Sequence, residues 1–168
     1  MSFKVFLSHS ASPEDQPVVW RLQTLASSYG IELYVPPRGA GFDKLKSRHR
    51  AFTWVGVKRE LDRSDCVIAL ITTTITSNTQ KELAYGLERK KLIVPILGPT
   101  VDSTKLQTQF PSCFQFHLYE DPGRVATEVM NYLSKQKMQK MDKEAKQAVA
   151  ALVAIGVGML LLSAASKS

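Results

Sequence analysis

The chain has 168 residues, 44% of them hydrophobic and 22% charged, with seven Phe and two Trp. That is material for one packed domain with a remainder, and it excludes a large multidomain enzyme and a disordered chain. The formal charge is +7, but six Lys against Asp142 and Glu144 fall in Lys135–Ser168, which leaves +3 for residues 1–134; with the basicity in the tail, no nucleic-acid partner is expected, because that would want positive charge on a folded face.

Cys66 and Cys113 both sit in apolar stretches, where a reduced Cys packs as a small hydrophobe, so no disulfide framework is expected. The N-terminal run Met1–Leu7 lacks the apolar core and cleavage site of a signal peptide, which points the body of the chain to a reducing cytoplasm.

In chain order, Lys4–Leu7 is a β-type run, and Ser12-Pro13-Glu14-Asp15 opens a helix whose apolar positions Val18, Leu22, Leu25 and Tyr29 recur at helical spacing until Gly30. Ile31–Val35 is a second strand closed by Pro36-Pro37. A helix beginning near Phe52 carries Trp54, Val57 and Leu61 on one face, and Cys66–Ile71 is a continuous apolar run of the kind a strand buried on both faces requires. After the polar loop Thr72–Thr76 a helix over Ser77–Lys90 turns Leu83 and Leu87 inward. Leu92–Leu97 is a fourth strand in which Pro95 predicts an edge or a bend, Phe114–Tyr119 a fifth, and Asp121-Pro122-Gly123 opens a helix with Val125, Val129 and Leu133.

Strands alternating with helices predict right-handed crossovers and an α/β fold: a flavodoxin-like five-stranded parallel sheet of order 2-1-3-4-5 with helices on both faces. Ligands of such sheets sit beyond the carboxyl ends of strands 1 and 3, so Ser8–Asp15 and Thr72–Gln80 are the expected site loops. The connection Pro36–Ala51 is long for this architecture and reads as a functional loop.

Residues 1–134 form the expected domain, residues 135–147 a Lys-rich linker, and Ala148–Ala165 a C-terminal hydrophobic helix. That last stretch is 18 residues without a charge, about 27 Å at the helical rise, near the length of a transmembrane helix. Five Lys precede it and only Lys167 follows, so the expectation is a cytoplasmic domain anchored to a membrane by its tail. Ala150, Ala154 and Gly158 at four-residue spacing suggest self-association.

Five motifs stand in a fixed order: Lys4-Val-Phe-Leu-Ser-His-Ser10, Ile31-Glu-Leu-Tyr-Val-Pro-Pro37, Ser64-Asp-Cys-Val-Ile-Ala-Leu-Ile71, Lys81-Glu-Leu-Ala-Tyr85 and Leu92-Ile-Val-Pro-Ile-Leu97. Together they resemble a bacterial-type TIR (Toll/interleukin-1 receptor) domain over about residues 3–134. The resemblance implies the flavodoxin-like fold and, for the catalytic members, cleavage of NAD at the nicotinamide–ribose bond by a Glu at the start of the helix after strand 3. Glu82 matches that position. It also implies homo-oligomers through TIR–TIR contacts, a place in bacterial defence signalling, and dinucleotide contacts from Ser8, His9 and Ser10. Many relatives carry a basic residue in this loop; here the positive charge lies after strand 2, where Arg38, Lys44, Lys46, Arg48 and Arg50 against Asp43 give +4 within thirteen residues, a patch suited to a pyrophosphate.

Nicotinamide leaves as a neutral pyridine, so one carboxylate beside the developing oxocarbenium suffices, whereas alkoxide leaving groups require a second carboxyl group; only Asp15 would offer one here. The residues also allow plainer roles. Thr79-Gln80-Lys81-Glu82 reads as a capping box, and Trp54 either stacks on a base of the substrate or joins the core with Val57 and Leu61. The His and Cys residues show no metal-ligand spacing. Two other functions stay open: a non-catalytic TIR adaptor or scaffold assembling through the loop after strand 2, and a nucleoside deoxyribosyltransferase-like enzyme.

Overall fold

A computed structural model describes residues 2–38, 53–102, 104, 114–115 and 122–165. Cys113, the basic residues Lys44, Lys46, Arg48 and Arg50, and most of the loop that holds them lie outside the described residues. The chain divides into two compact units, Ser2–Asn131 and Tyr132–Ser168 with Met1.

The elements are β1 (Phe3–Ser8), α1 (Gln16–Ser28), β2 (Ile31–Tyr34), α2 (Trp54–Arg63), β3 (Cys66–Ile71), α3 (Ser77–Glu88), β4 (Leu92–Leu97), β5 (Phe114–Gln115) and α4 (Pro122–Ala165). The sheet is parallel with the order β2-β1-β3-β4-β5. Its two middle strands follow the expected apolar pattern, and all six side chains of β3 are buried.

Four strands of four to six residues carry the sheet, and two residues of the fifth are described. β4 lies inside the order with Pro95 opposite Ala69, and β5 engages only Ile96 and Leu97, through Phe114 and Gln115. Pro95 has no N–H to donate, and among the described residues the β5 pairing begins just beyond it. Of the strand expected over Phe114–Tyr119, Phe114 and Gln115 pair with β4 and the remainder lies outside the described residues.

Right-handed crossovers fix the layers. The step from β1 to β2 runs one way across the sheet and the steps from β2 to β3 and β3 to β4 run the other, so α1 covers one face while α2 and α3 cover the opposite one. On the α2–α3 face Val57, Leu61, Leu83 and Tyr85 pack with Phe6, Val67, Ala69, Ile71, Ile93 and Leu97. Leu87, expected to face inward, is half exposed, because the buried stripe of α3 runs through Thr79, Glu82, Leu83, Tyr85 and Gly86 instead. Burial pushes the Cys66 thiol far above its ordinary range, consistent with an inert packing residue.

The Lys-rich segment 135–147 is helical and continuous with the residues before and after it in α4. No helix among the described residues is long and apolar enough to cross a membrane. The expected membrane span, and with it the membrane partner and the membrane-anchored localisation, is corrected accordingly. Ala148–Ala165 is the end of a helix that begins at Pro122 and carries Lys135–Lys146 through its middle. Its 18 residues fall short of the ~20 that a span usually needs.

Two glycines are required by geometry. Gly30 ends α1 at φ 61°, in the left-handed region that favours glycine. Gly98, just past β4, donates its N–H to the Ile71 carbonyl at 2.8 Å, and a Cβ placed on it would stand 2.1 Å from the Thr72 carbonyl oxygen. Because backbone cannot move aside like a flexible side chain, Gly98→Ala is expected to cost about 2 kcal/mol or more and to lower the thermal midpoint by about 8 °C, as read by circular dichroism.

Candidate active site

The loops after β1 and β3 meet at the carboxyl end of the sheet, as the strand order requires. Asp15, fully buried, joins them: its Oδ2 accepts from the Ser10 N–H at 2.7 Å and the Ser10 hydroxyl at 2.6 Å, and its Oδ1 accepts from the Thr72 hydroxyl at 2.6 Å. Asp15 precedes α1 as its N-cap, yet its side chain makes no capping bond. The carboxylate is committed to the loops, and Pro17, with no N–H, lightens the demand for a cap.

The start of α3 is arranged differently from the capping box expected over Thr79–Glu82. Thr76 is the N-cap and accepts from the Thr79 N–H at 3.3 Å. The helix therefore begins at Ser77 and Glu82 sits a turn and a half inside it. Glu82 is buried on the face turned toward β1 and is free of any capping duty. Its Oε2 accepts from the Ser8 hydroxyl at 2.6 Å, and its Oε1 pairs with Nη2 of Arg38. Three elements thus converge on one carboxylate: the last residue of β1, the exit from β2, and α3.

A cavity of about 350 Å³ opens beside this carboxylate, lined by Arg38, Thr53, Trp54, Val57, Asn78, Lys81 and Glu82. Among the described residues that line it, Glu82 is the one carboxylate. Trp54 begins α2, whose N-cap Thr53 accepts from the Gly56 N–H, and it is 40% exposed; it forms a wall of the cavity and meets the Tyr85 ring edge-on at 5.9 Å. The Arg38 Nε is buried and has no hydrogen-bond partner among the described residues. Under the pair lies Tyr34, whose phenol is pushed up by burial first and then by the Glu60 charge, with Arg38 opposing and Glu82 adding.

The structure thus divides the expected site residues. Arg38, Trp54 and Glu82 line the cavity, and Ser8 reaches it through Glu82. His9 and Ser10 do not line it. His9 is buried, with Nε2 3.2 Å from the Pro36 carbonyl and Nδ1 against the Ser10 carbonyl, so it ties the β1 loop to the exit of β2. Arg38, expected on a phosphate, is engaged by Glu82. Thr53, Asn78 and Lys81 were missed. Asn78 stands one helical turn before Glu82 on the same face of α3, a signal readable once the helix start is placed at Ser77.

No family model and no curated protein matches the sequence. Among solved structures the chain is similar in backbone to the Clostridium botulinum CMP N-glycosidase BcmB (14% identity, TM-score 0.47, covering 75% of this chain and 97% of that one). It is also similar to the TIR domain of the Toll-related receptor TRR-2 from Hydra magnipapillata (16%, 0.48, covering 67% and 82%) and to the TIR domains of the activated Roq1 resistosome (17%, 0.46, covering 82% and 76%). Likenesses this distant say nothing about chemistry, which has to come from the site.

The Asp15 clasp makes a direct prediction. Asp15→Ala leaves three donors without their acceptor, and at 1–3 kcal/mol for each buried group left unpaired the domain is expected to lose about 3 kcal/mol. Asp15→Asn keeps one acceptor oxygen and is expected to lose about half as much. Urea unfolding of both variants checks this: the midpoints should fall in that order with unchanged slopes.

Proposed function

We propose that the domain cleaves NAD at the bond between nicotinamide and ribose, as a glycohydrolase or cyclase, with Glu82 as the catalytic group. The observation that carries this reading is a single buried carboxylate in a cavity at the carboxyl ends of β1 and β3. Asp15, the one candidate for a second, is consumed by the loop clasp. A site with one carboxylate suits a leaving group that needs no proton.

In this reading the C1′–N bond breaks and its electron pair passes to the pyridinium nitrogen, cancelling that positive charge. The ribosyl carbon becomes oxocarbenium-like. Glu82 faces it as a fixed negative charge in a site poor in water, where such preorganised electrostatics count most. The carboxylate is held by one bond on each oxygen, from Ser8 and Arg38, which leaves each oxygen an acceptor position for a ribose hydroxyl. Trp54 borders the planar ring, and Asn78 supplies an amide to the same cavity. Water adds to C1′ in hydrolysis; a nucleophile of the same substrate adds in cyclisation.

Glu82→Gln tests this. Turnover of NAD, followed as released nicotinamide, is expected to fall about a hundredfold or more. The variant also leaves the Arg38 guanidinium buried without its anion, so it should lose about 3 kcal/mol of stability. The double variant Glu82→Gln/Arg38→Gln removes that charge and is expected to regain much of the lost melting temperature while staying inactive. Deoxynucleosides run beside NAD check the transferase alternative. Wild-type NAD consumption by a folded Glu82→Gln protein would overturn the catalytic role and favour the adaptor reading.

A further inference from the structure

Trp54 walls a second space besides the Glu82 cavity. A second cavity of about 480 Å³ lies along the outer edge of α2 and α3, lined by Trp54, Lys58, Lys81, Ala84, Tyr85 and Glu88. Trp54 and Lys81 line both cavities, so the two adjoin along that wall. Glu88 lies six positions beyond Glu82 on α3, about 9 Å along the helix axis, so a ligand that extends from the carboxylate past the Trp54–Lys81 wall would reach the second space.

The charge there is unusual for this surface. Lys81 makes no ion pair among the described residues, and the Lys58 ammonium is offset only by ring faces, 5.6 Å from the Trp54 centroid and 5.2 Å from that of Tyr85. Neighbouring cations are compensated: Arg89 pairs with Asp62 at 3.4 Å, Arg63 with Glu60 at 3.7 Å, and Lys91 donates to the carbonyls of Asp62 and Ser64. Two ammonium groups that make no ion pair among the described residues, beside a concave, aromatic-walled space, are suited to an anion attached to a planar ring. Of the two basic residues described in the first cavity, Arg38 is already engaged by Glu82 and Lys81 is shared with the second.

We propose that this second cavity binds the phosphate-bearing half of the substrate, with Lys58 and Lys81 meeting the phosphates and Trp54 and Tyr85 bordering a second base, so that the enzyme takes nucleotides and discriminates against free nucleosides. The proposal rests on the first cavity being the ribosyl site. Glu88, the one carboxylate among the described lining residues, repels phosphate; it confines the phosphates toward Lys81 and leaves its own end to ribose hydroxyls or an exocyclic amine. Either Lys as a surface residue alone would not need the concavity or the half-exposed Trp beside it.

Titration calorimetry of the full chain with ADP and with adenosine tests the site without turnover. ADP is expected to bind at least tenfold more tightly than adenosine. Lys58→Gln/Lys81→Gln should weaken ADP at least tenfold with an unchanged circular dichroism spectrum, and Lys58→Arg/Lys81→Arg should restore most of it. In turnover, the Gln pair should raise the KM for NAD at least tenfold more than the KM for nicotinamide riboside, which has the same scissile bond and no phosphate. Equal binding of ADP and adenosine, no binding of ADP, or an ADP affinity indifferent to both lysines would overturn the proposal. Lysine-dependent ADP binding in a protein that leaves NAD intact would instead uphold the phosphate site and sink the cleavage reading.

Discussion

The buried charge of Glu82 is the constraint on which the rest of the site depends. A carboxylate taken out of water is tolerated only with a counter-charge and hydrogen bonds in place. Both come from outside its own helix: the Ser8 hydroxyl from the end of β1 and the Arg38 guanidinium from the exit of β2. Ser8 is the last residue of its strand and stands level with Ala69 in the register of β3. The strand order that sets β1 between β2 and β3 therefore also brings donor, counter-ion and acid within reach of one another. Satisfying one costly group fixes the floor of the cavity.

Around that group the loops are joined by polar contacts that do not take part in the proposed chemistry. Asp15 gives up the capping of α1 to hold Ser10 and Thr72. His9 sits against the Pro36 carbonyl, close in sequence to Arg38. Gly98 lets β4 leave the sheet against the Thr72 carbonyl. Apart from the local Asp15–Ser10 bonds, each contact crosses between elements far apart in sequence, so the site loops keep their positions through the sheet that anchors them. A preorganised site of this kind loses no free energy to reorganisation when charge develops in it.

The chemistry then follows from what is available and what is not. Carboxylates near the switch point are divided by role: Asp15 is spent on structure, Glu82 faces the cavity, and Glu88 lies two turns further along α3. Positive charge is divided likewise. Arg38 compensates the Glu82 carboxylate, while Lys58 and Lys81 line the second cavity beside aromatic rings. One helix, α3, presents Glu82 inward and Lys81 and Glu88 outward, so the proposed cleavage and the proposed recognition of the rest of the substrate fall in adjoining spaces.

Local pattern in the sequence was enough for the αβ alternation, the buried run of β3, the stop at Gly30 and the meeting of the loops after β1 and β3, because each depends on periodicity, on one backbone preference or on the handedness of crossovers. It marked Arg38 by charge and Trp54 by spacing, while Glu82, Ser8, His9 and Ser10 came from the resemblance to TIR domains. It misplaced their partners. Thr79-Gln80-Lys81-Glu82 has the residues of a capping box, but Thr76 three residues earlier takes the cap, and only then does Glu82 turn toward β1. Arg38 reads as a phosphate ligand until the packing of the β2 exit on α3 gives it a carboxylate. Pro95 reads as an edge, and a strand order that the residue itself does not encode sets it inside. The apolar tail reads as a span, yet no described helix is long and apolar enough to be one. Sequence determines which residues can carry charge, break a helix or fill a core, since those are properties of the side chain and its neighbours in the chain. Which donor meets which acceptor is decided only by the tertiary structure, because such pairs lie dozens of residues apart and form when the sheet brings them within 3 Å.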